Sequence, residues 1–458
     1  MSMQATVQSP TETSPGSQVR AYLDTLETFQ RQHPARSAVV KQLRAAGAEQ
    51  FARLGFPGLR QEAWRYTNVA PIAGGGFAPA TETSSQAADA EAGALLAPYR
   101  FDGGCHLAFV DGRFSAEHSQ LAELPAGVVA CSLAEALERM PEKVEAYLGR
   151  HARIDEHPFV ALNGAFLSDG GFVYVPRGVL VERPIHLLFL AASPRVAAYP
   201  RCLVVAAEGS QCTVVETYLS REHEEGTFTC PVTEVVLGPS TLVDHYKVQR
   251  ESTRAFHVAT QQSYLERNAT FRSHSISLGG RLVRNDVNSV LDGEGVDCTL
   301  NGLYLVAGRQ QVDNHMRVDH ARPHGNSHEL YKGILDGHGR AVFNGLIHVH
   351  PDAQKTDAKQ TNRNLLLSPG ALANSNPQLE IFADDVRCTH GSTVGQLDED
   401  AVFYLRSRGI SADAARSLLT YAFASELVEK IKVEAVRRDL EESLFHRLPG
   451  GEVVRQAV

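Results

Sequence analysis

GFVYVP (171–176), IHLLFL (185–190), CLVVAA (202–207), CTVVETY (212–218) and VTEVVL (232–237) follow one another with only short polar, Gly- and Pro-containing pieces between them. Each run is rich in β-branched and aromatic residues and too short for a helix, so each reads as a strand. The pattern continues through ATFRSHSISLGG (269–280) and VFNGLIHVHP (342–351). No convincing long helical pattern interrupts residues 158–400, which points to one large all-β body. A sandwich, a barrel and a β-helix remain open. Repeated short strands joined by polar turns, without strong hairpin signals, favour a β-helix whose coils stack on one another. No clean repeat length marks the coils in the sequence.

On either side of this body the period changes. Residues 1–18 read as a solvated, disordered tail. Val19, Leu23, Leu26 and Phe29 have helical spacing, and a second helix is expected over 37–54 with Val40, Leu43 and Phe51 facing inward. Gly55-Phe-Pro-Gly ends it. Trp64, the only tryptophan, reads as an aromatic anchor for this helical arm. Residues 73–95, rich in Gly, Ala, Ser and Thr, read as a linker. Cys105–Gly112 is a strand entering a turn. Over 133–148 a helix is expected, with Ser132 and Glu135 at capping-box spacing and Pro141 as a break or kink. At Ser411 a helical period returns, with Ser411 as N-cap and Leu419, Phe423, Leu427 and Ile431 as one apolar stripe. That stripe either packs on the chain's own 440–448 segment or docks another protein. The resulting division is a tail (1–18), a helical region with its linker (19–100), a mixed connecting region (101–157), the β body (158–400) and a C-terminal helical domain (401–458).

The 458 residues carry a formal net charge of −9 with 43% hydrophobic residues. This is the composition of a soluble globular chain and argues against a nucleic-acid partner. No apolar run approaches the roughly 18 residues of a membrane span. The N-terminus has neither a basic start nor an apolar signal core. Seven cysteines, an odd number without any CxxC, fit no disulfide framework, so a reducing cytoplasm is expected.

Three places could carry chemistry. Cys388 and His390 lie two apart on a predicted strand and project to one face, a thiolate beside an imidazole that suits iron or zinc. The alternative is a core cysteine beside a hydrogen-bonded histidine. Seven histidines fall between 315 and 350, and His348-Val-His350 repeats the same-face spacing. A cupin-like iron oxygenase would use such a pair, but no matching carboxylate motif accompanies it. A polar ladder on a solvated face is the other reading. Asp384 and Asp385 are adjacent, point opposite ways in an extended segment and do not suit a glycosidase pair. There is no GxxxxGK[ST], hence no ATP site of its own, and no GxSxG.

QTNRNLLLS (360–368), PQLEIFADDVRCTHGSTVGQLD (377–398), FYLRSRGI (403–410) and the early EAWRYT (62–67) together resemble the SufD family. Its members are scaffold subunits of the SUF iron–sulfur cluster assembly system. The resemblance runs from about residue 20 to the end. It implies a mainly β fold, a right-handed parallel β-helix core flanked by N-terminal and C-terminal helical regions. It implies a non-enzymatic scaffold that pairs with its sister SufB through the β-helix ends, or with itself when alone. It also implies that the C-terminal helical domain docks the SufC ATPase. Arg408 and Arg416 are then candidate partner-binding residues on that docking face. Phe423 and Leu427 join them, chiefly by holding the helical region together. Cys388 and His390 match the family's Cys-x-His near the scaffold junction. Iron or a transient iron–sulfur cluster shared with SufB would be handled there, with the histidine the more important ligand.

Overall fold

The computed structural model describes residues 15–35, 37–101, 103–448 and 455. The expected tail falls outside the described residues up to residue 14, and its last four residues already belong to a helix, Pro15–Gln32.

The short apolar runs become strands of two sheets, ten strands in one and eleven in the other. From Leu242 onward the chain alternates between them. Leu242–Gln249, Thr270–Ser277, Asp297–Val306, Asn326–Leu335, Asp357–Leu366 and Arg387–Gly395 lie in the first. Phe256–Leu265, Leu282–Leu291, Gln311–His320, Arg340–Val349 and Leu372–Ile381 lie in the second. Every neighbouring pair in this stretch is parallel and in register. This is the expected parallel β-helix. Parallel neighbours cannot be joined by a tight hairpin, so each must be reached by a detour. Here the detour is the strand in the opposite sheet. Leu282, Gln311, Arg340 and Leu372 occupy equivalent places, with steps of 29, 29 and 32 residues.

Alternate side chains point between the sheets, where Leu187, Phe189, Val204, Val243, Phe271, Val283, Leu300, Phe343 and their neighbours form the central core. The β body also reaches further back than residue 158. Cys105–Val110 lies parallel to Ile185–Ala191 as a full member of the first sheet, whereas Pro158–Ala165 is a fully buried helix.

The helical flanks cover the outside. Tyr22, Leu26, Phe29 and Phe51 bury against Phe159, Phe166 and the second sheet. Gly55 ends the helix Ala38–Leu54 at φ +63°, a left-handed conformation that glycine adopts without steric cost. Trp64 is an anchor, and its partner is electrostatic as well as apolar. The Arg284 guanidinium lies 3.7 Å from its ring centroid and donates to the Ala63 carbonyl at 2.7 Å. The segment read as a linker is a helix over Glu82–Leu96, N-capped by Thr81. Its alanines form a smooth face, and Ala88, Ala92 and Leu96 bury on Ala108, Val110, Leu188 and Leu190. Small residues that look like linker composition are what let this helix lie close on the sheet. The helix expected over 133–148 is broken into Leu133–Arg139 and Pro141–Glu145, and the Ser132 hydroxyl caps the first by accepting from the Glu135 amide at 3.1 Å.

At the C-terminus, Glu399–Ser407, Ala412–Val428 and Glu434–Arg447 are helical. Tyr421, Ala424, Leu427, Val428 and Ile431 pack on Tyr246, Val248, Ile276 and Leu303 of the first sheet and on Val436, Leu440 and Leu444. The stripe therefore packs on its own chain. Phe423 joins that cluster only in part, and Leu419 is outside it. Among the described residues no helix is long and apolar enough to cross a membrane.

Candidate functional site

The strand Arg387–Gly395 is the last of the first sheet, and Leu372–Ile381 the last of the second. Among the described residues each pairs on one side only. Their outer edges present unpaired backbone N–H and C=O groups, an arrangement that natural sheets cover or pair. Leu372, Ile381, Phe382 and Val394 are exposed on these strands and the turn between them.

Strict register lets each position on the last strand be read as the end of a column. Val243, Phe271, Cys298, Ser327 and Ala358, all buried, stack beneath Cys388. His245, Ser273, Leu300, Glu329 and Gln360, also buried, stack beneath His390. Cys388 and His390 thus share the inward-facing side of the terminal rung, as their spacing predicts. Their environments differ. Cys388 is half-buried against the cluster of Ile347, Val349, Ala353, Ala358 and Ala383, and burial followed by the Asp357 carboxylate pushes its thiol pKa up. Burial there favours the neutral thiol over the thiolate. His390 is exposed at the mouth of the end.

The two rungs of this column directly beneath His390 are polar. The Gln360 amide nitrogen donates to Glu329 Oε2 at 2.5 Å, while Glu329 Oε1 and the Gln360 amide oxygen are buried without a hydrogen-bond partner among the described residues. Gly345, from the facing sheet, makes room for Gln360, since a Cβ there would lie 2.3 Å from its amide nitrogen. Burial pushes the Glu329 carboxyl up to about 7, with the Gln360 hydrogen bond opposing. Sequence inspection missed Glu329 and Gln360, because nothing local marks a residue 30 or 61 positions earlier as the floor beneath His390.

The remaining predicted residues fall elsewhere. Arg408 is exposed at the end of the helix Glu399–Ser407 and donates to the Tyr404 hydroxyl at 3.1 Å. Arg416 pairs with Glu399 at 2.7 Å on the next helix. Phe403 and Tyr404, on the same helix as Glu399, are 70% and 57% exposed. Leu427 is only 3% exposed and lies in the cluster that packs the C-terminal helices on the first sheet. The Phe423 carbonyl accepts from Lys332 at 2.8 Å, tying the helix to the sheet. His348 and His350 lie on the outer face of the second sheet, not in a cupin barrel, and Asp319 of the neighbouring strand stands beside them.

Comparison with known proteins agrees with this architecture. Residues 189–423 match the model of the SUF system FeS cluster assembly SufBD core domain, and residues 18–187 that of the SufBD protein N-terminal region. The chain is 33% identical over 408 residues to the iron–sulfur cluster assembly protein SufD of Escherichia coli, covering 88% of this chain and 92% of that one. It is equally 33% identical over 413 residues to an iron–sulfur cluster assembly SufBD family protein of Synechocystis sp., covering 88% and 90%. The SufD of Bacillus subtilis is 28% identical over 322 residues, covering 69% and 72%. With both family regions matched in order along the chain, it belongs to the SufBD family of iron–sulfur cluster assembly proteins.

Proposed function

We propose that this chain is a non-enzymatic scaffold subunit of the SUF system that joins SufB through the bare end of its β-helix and carries SufC on its C-terminal helices. The observation that carries the reading is the uncovered terminal rung. Two free sheet edges, exposed Leu372, Ile381, Phe382 and Val394, and a paired Cys388 and His390 lie together there. An edge of this kind suits strand-by-strand continuation with a second solenoid. The iron or nascent cluster is cargo in this reading. Cys388 and His390 contribute a thiolate and an imidazole, and the partner scaffold completes the set. A mixed site of few ligands holds iron and releases it more readily than four thiolates do.

Exposed Phe403, Tyr404, Arg408 and Arg416 make up the SufC-facing surface, while Phe423 and Leu427 hold that surface on the sheet. Closure of the ATPase would then bias two arrangements of the scaffold pair. All seven cysteines are free, which suits a reducing cytoplasm.

The test is the three-component complex made with wild-type or His390→Ala chain. The expected result is unchanged assembly with most of the iron and acid-labile sulfide lost. Full iron loading by an intact His390→Ala complex overturns the ligand role. Failure of the wild-type chain to co-purify with SufB and SufC overturns the scaffold reading itself.

A further inference from the structure

On the outer face of the second sheet, Asp319, His348 and Glu380 stand in register on three adjacent parallel strands. His350 follows two residues after His348, and its backbone amide still donates to the His320 carbonyl at 3.0 Å. One donor atom from each of Asp319, His348 and His350 lies within 4.8 Å of the other two. We infer that these three residues bind a divalent first-row transition ion, with Glu380 as the outer hydrogen-bond partner of His348. This inference is independent of the junction role proposed for Cys388 and His390.

The chemistry of the donors sets the class of ion. Two imidazoles and one carboxylate suit zinc, iron(II), cobalt(II) or nickel(II), whereas calcium and magnesium take all-oxygen sets. Three protein ligands leave at least one position for water or a ligand from elsewhere. The surroundings are those of a prepared site. His348 Nδ1 lies 2.9 Å from Glu380 Oε2. With the proton on Nδ1, Nε2 is left as the free lone pair, the carboxylate–histidine–metal arrangement. Arg317 grips both oxygens of Asp319, at 2.7 and 2.8 Å. That grip fixes the carboxylate and leaves each oxygen a further lone pair. It also reduces the negative charge of the site, which further disfavours a hard cation.

The ligands require little movement. Bonds of about 2.1 Å in tetrahedral geometry put donor atoms roughly 3.4 Å apart. His350 Nε2 is now 4.0 Å from Asp319 Oδ1, and its side chain is 44% exposed against 18% for His348 and 16% for Asp319. Rotation of the freer imidazole closes the set, while the other two ligands are held by the sheet.

The experiment uses untagged full-length chain carrying Cys388→Ser and His390→Ala, so that the junction pair contributes nothing. Metal-free protein is titrated with Co2+, reading the visible d–d absorption and the bound metal after dialysis. One ion per chain is expected, with a spectrum of nitrogen and oxygen ligation. Adding His348→Ala and His350→Ala together should weaken binding by roughly a hundredfold or more, and Glu380→Gln alone by about tenfold. Circular dichroism and thermal melting establish that each variant is folded, as substitutions on this solvated face permit. Co2+ binding that survives loss of both histidines, or absence of binding by the folded parent at millimolar Co2+, overturns the inference.

Discussion

The two ends of the solenoid are built from strands of similar kind but meet opposite fates. At the N-terminal end, Arg113–Gln120 turns back antiparallel on Cys105–Val110, and Val129–Ser132 runs antiparallel along Gly171–Val175. Helix Leu133–Arg139 closes over the latter, and Leu133, Ala136, Phe172 and Leu203 are fully buried. At the C-terminal end no such reversal follows in the described chain, and nearly all of Arg387–Gly395 is exposed. An antiparallel reversal is a cap: it changes strand direction and lets a helix cover what remains. Its absence at the other end leaves the parallel ladder open for continuation.

This difference predicts how each end responds to truncation. Phe109→Ala, in the core just inside the capped end at 1% exposure, should cost about 3–5 kcal/mol in denaturant unfolding. A loss of less than about 1 kcal/mol would mean that the cap tolerates a cavity and is not part of the cooperative core.

Glu329 tests the polar column under the bare end. Its folded pKa of about 7 lies above the ordinary carboxyl value of about 4.3. Below the unfolded pKa both states are protonated and the group costs nothing. As pH rises toward 7 the unfolded chain ionises while the folded one resists, so stability is lost, and above 7 the loss is complete. Glu329→Gln should therefore stabilise by up to about 3 kcal/mol at pH 8 and change little at pH 4. Equal unfolding midpoints of the two proteins across that range would show that the column ionises freely.

The smallest effect belongs to the open rung. Val394→Ala and Phe382→Ala should each change the stability of the isolated chain by no more than about 0.5 kcal/mol, while weakening capture of SufB in a pull-down. A large stability loss for either would show that the end is covered within the chain itself, and the contrast between the two ends would fail.

Much of this molecule was legible in short stretches. The β-branched runs, the Ser132 and Ser411 caps, the Gly55 stop and the shared face of Cys388 and His390 depend on neighbours within a few residues. Local sterics and strand alternation decide such features. The solenoid's repeat was not legible, because corner lengths vary and shift the step between equivalent residues. The helix Glu82–Leu96 was not legible either, because alanine and serine specify neither a face nor a partner until a sheet lies beneath them. Asp319 beside His348, Glu380 beside the same histidine, and Glu329 beneath His390 were decided by register between rungs about 30 residues apart. A sequence carries the side chains for such a column, but only the stacking of coil on coil, driven by burial of the apolar interior, determines which of them meet.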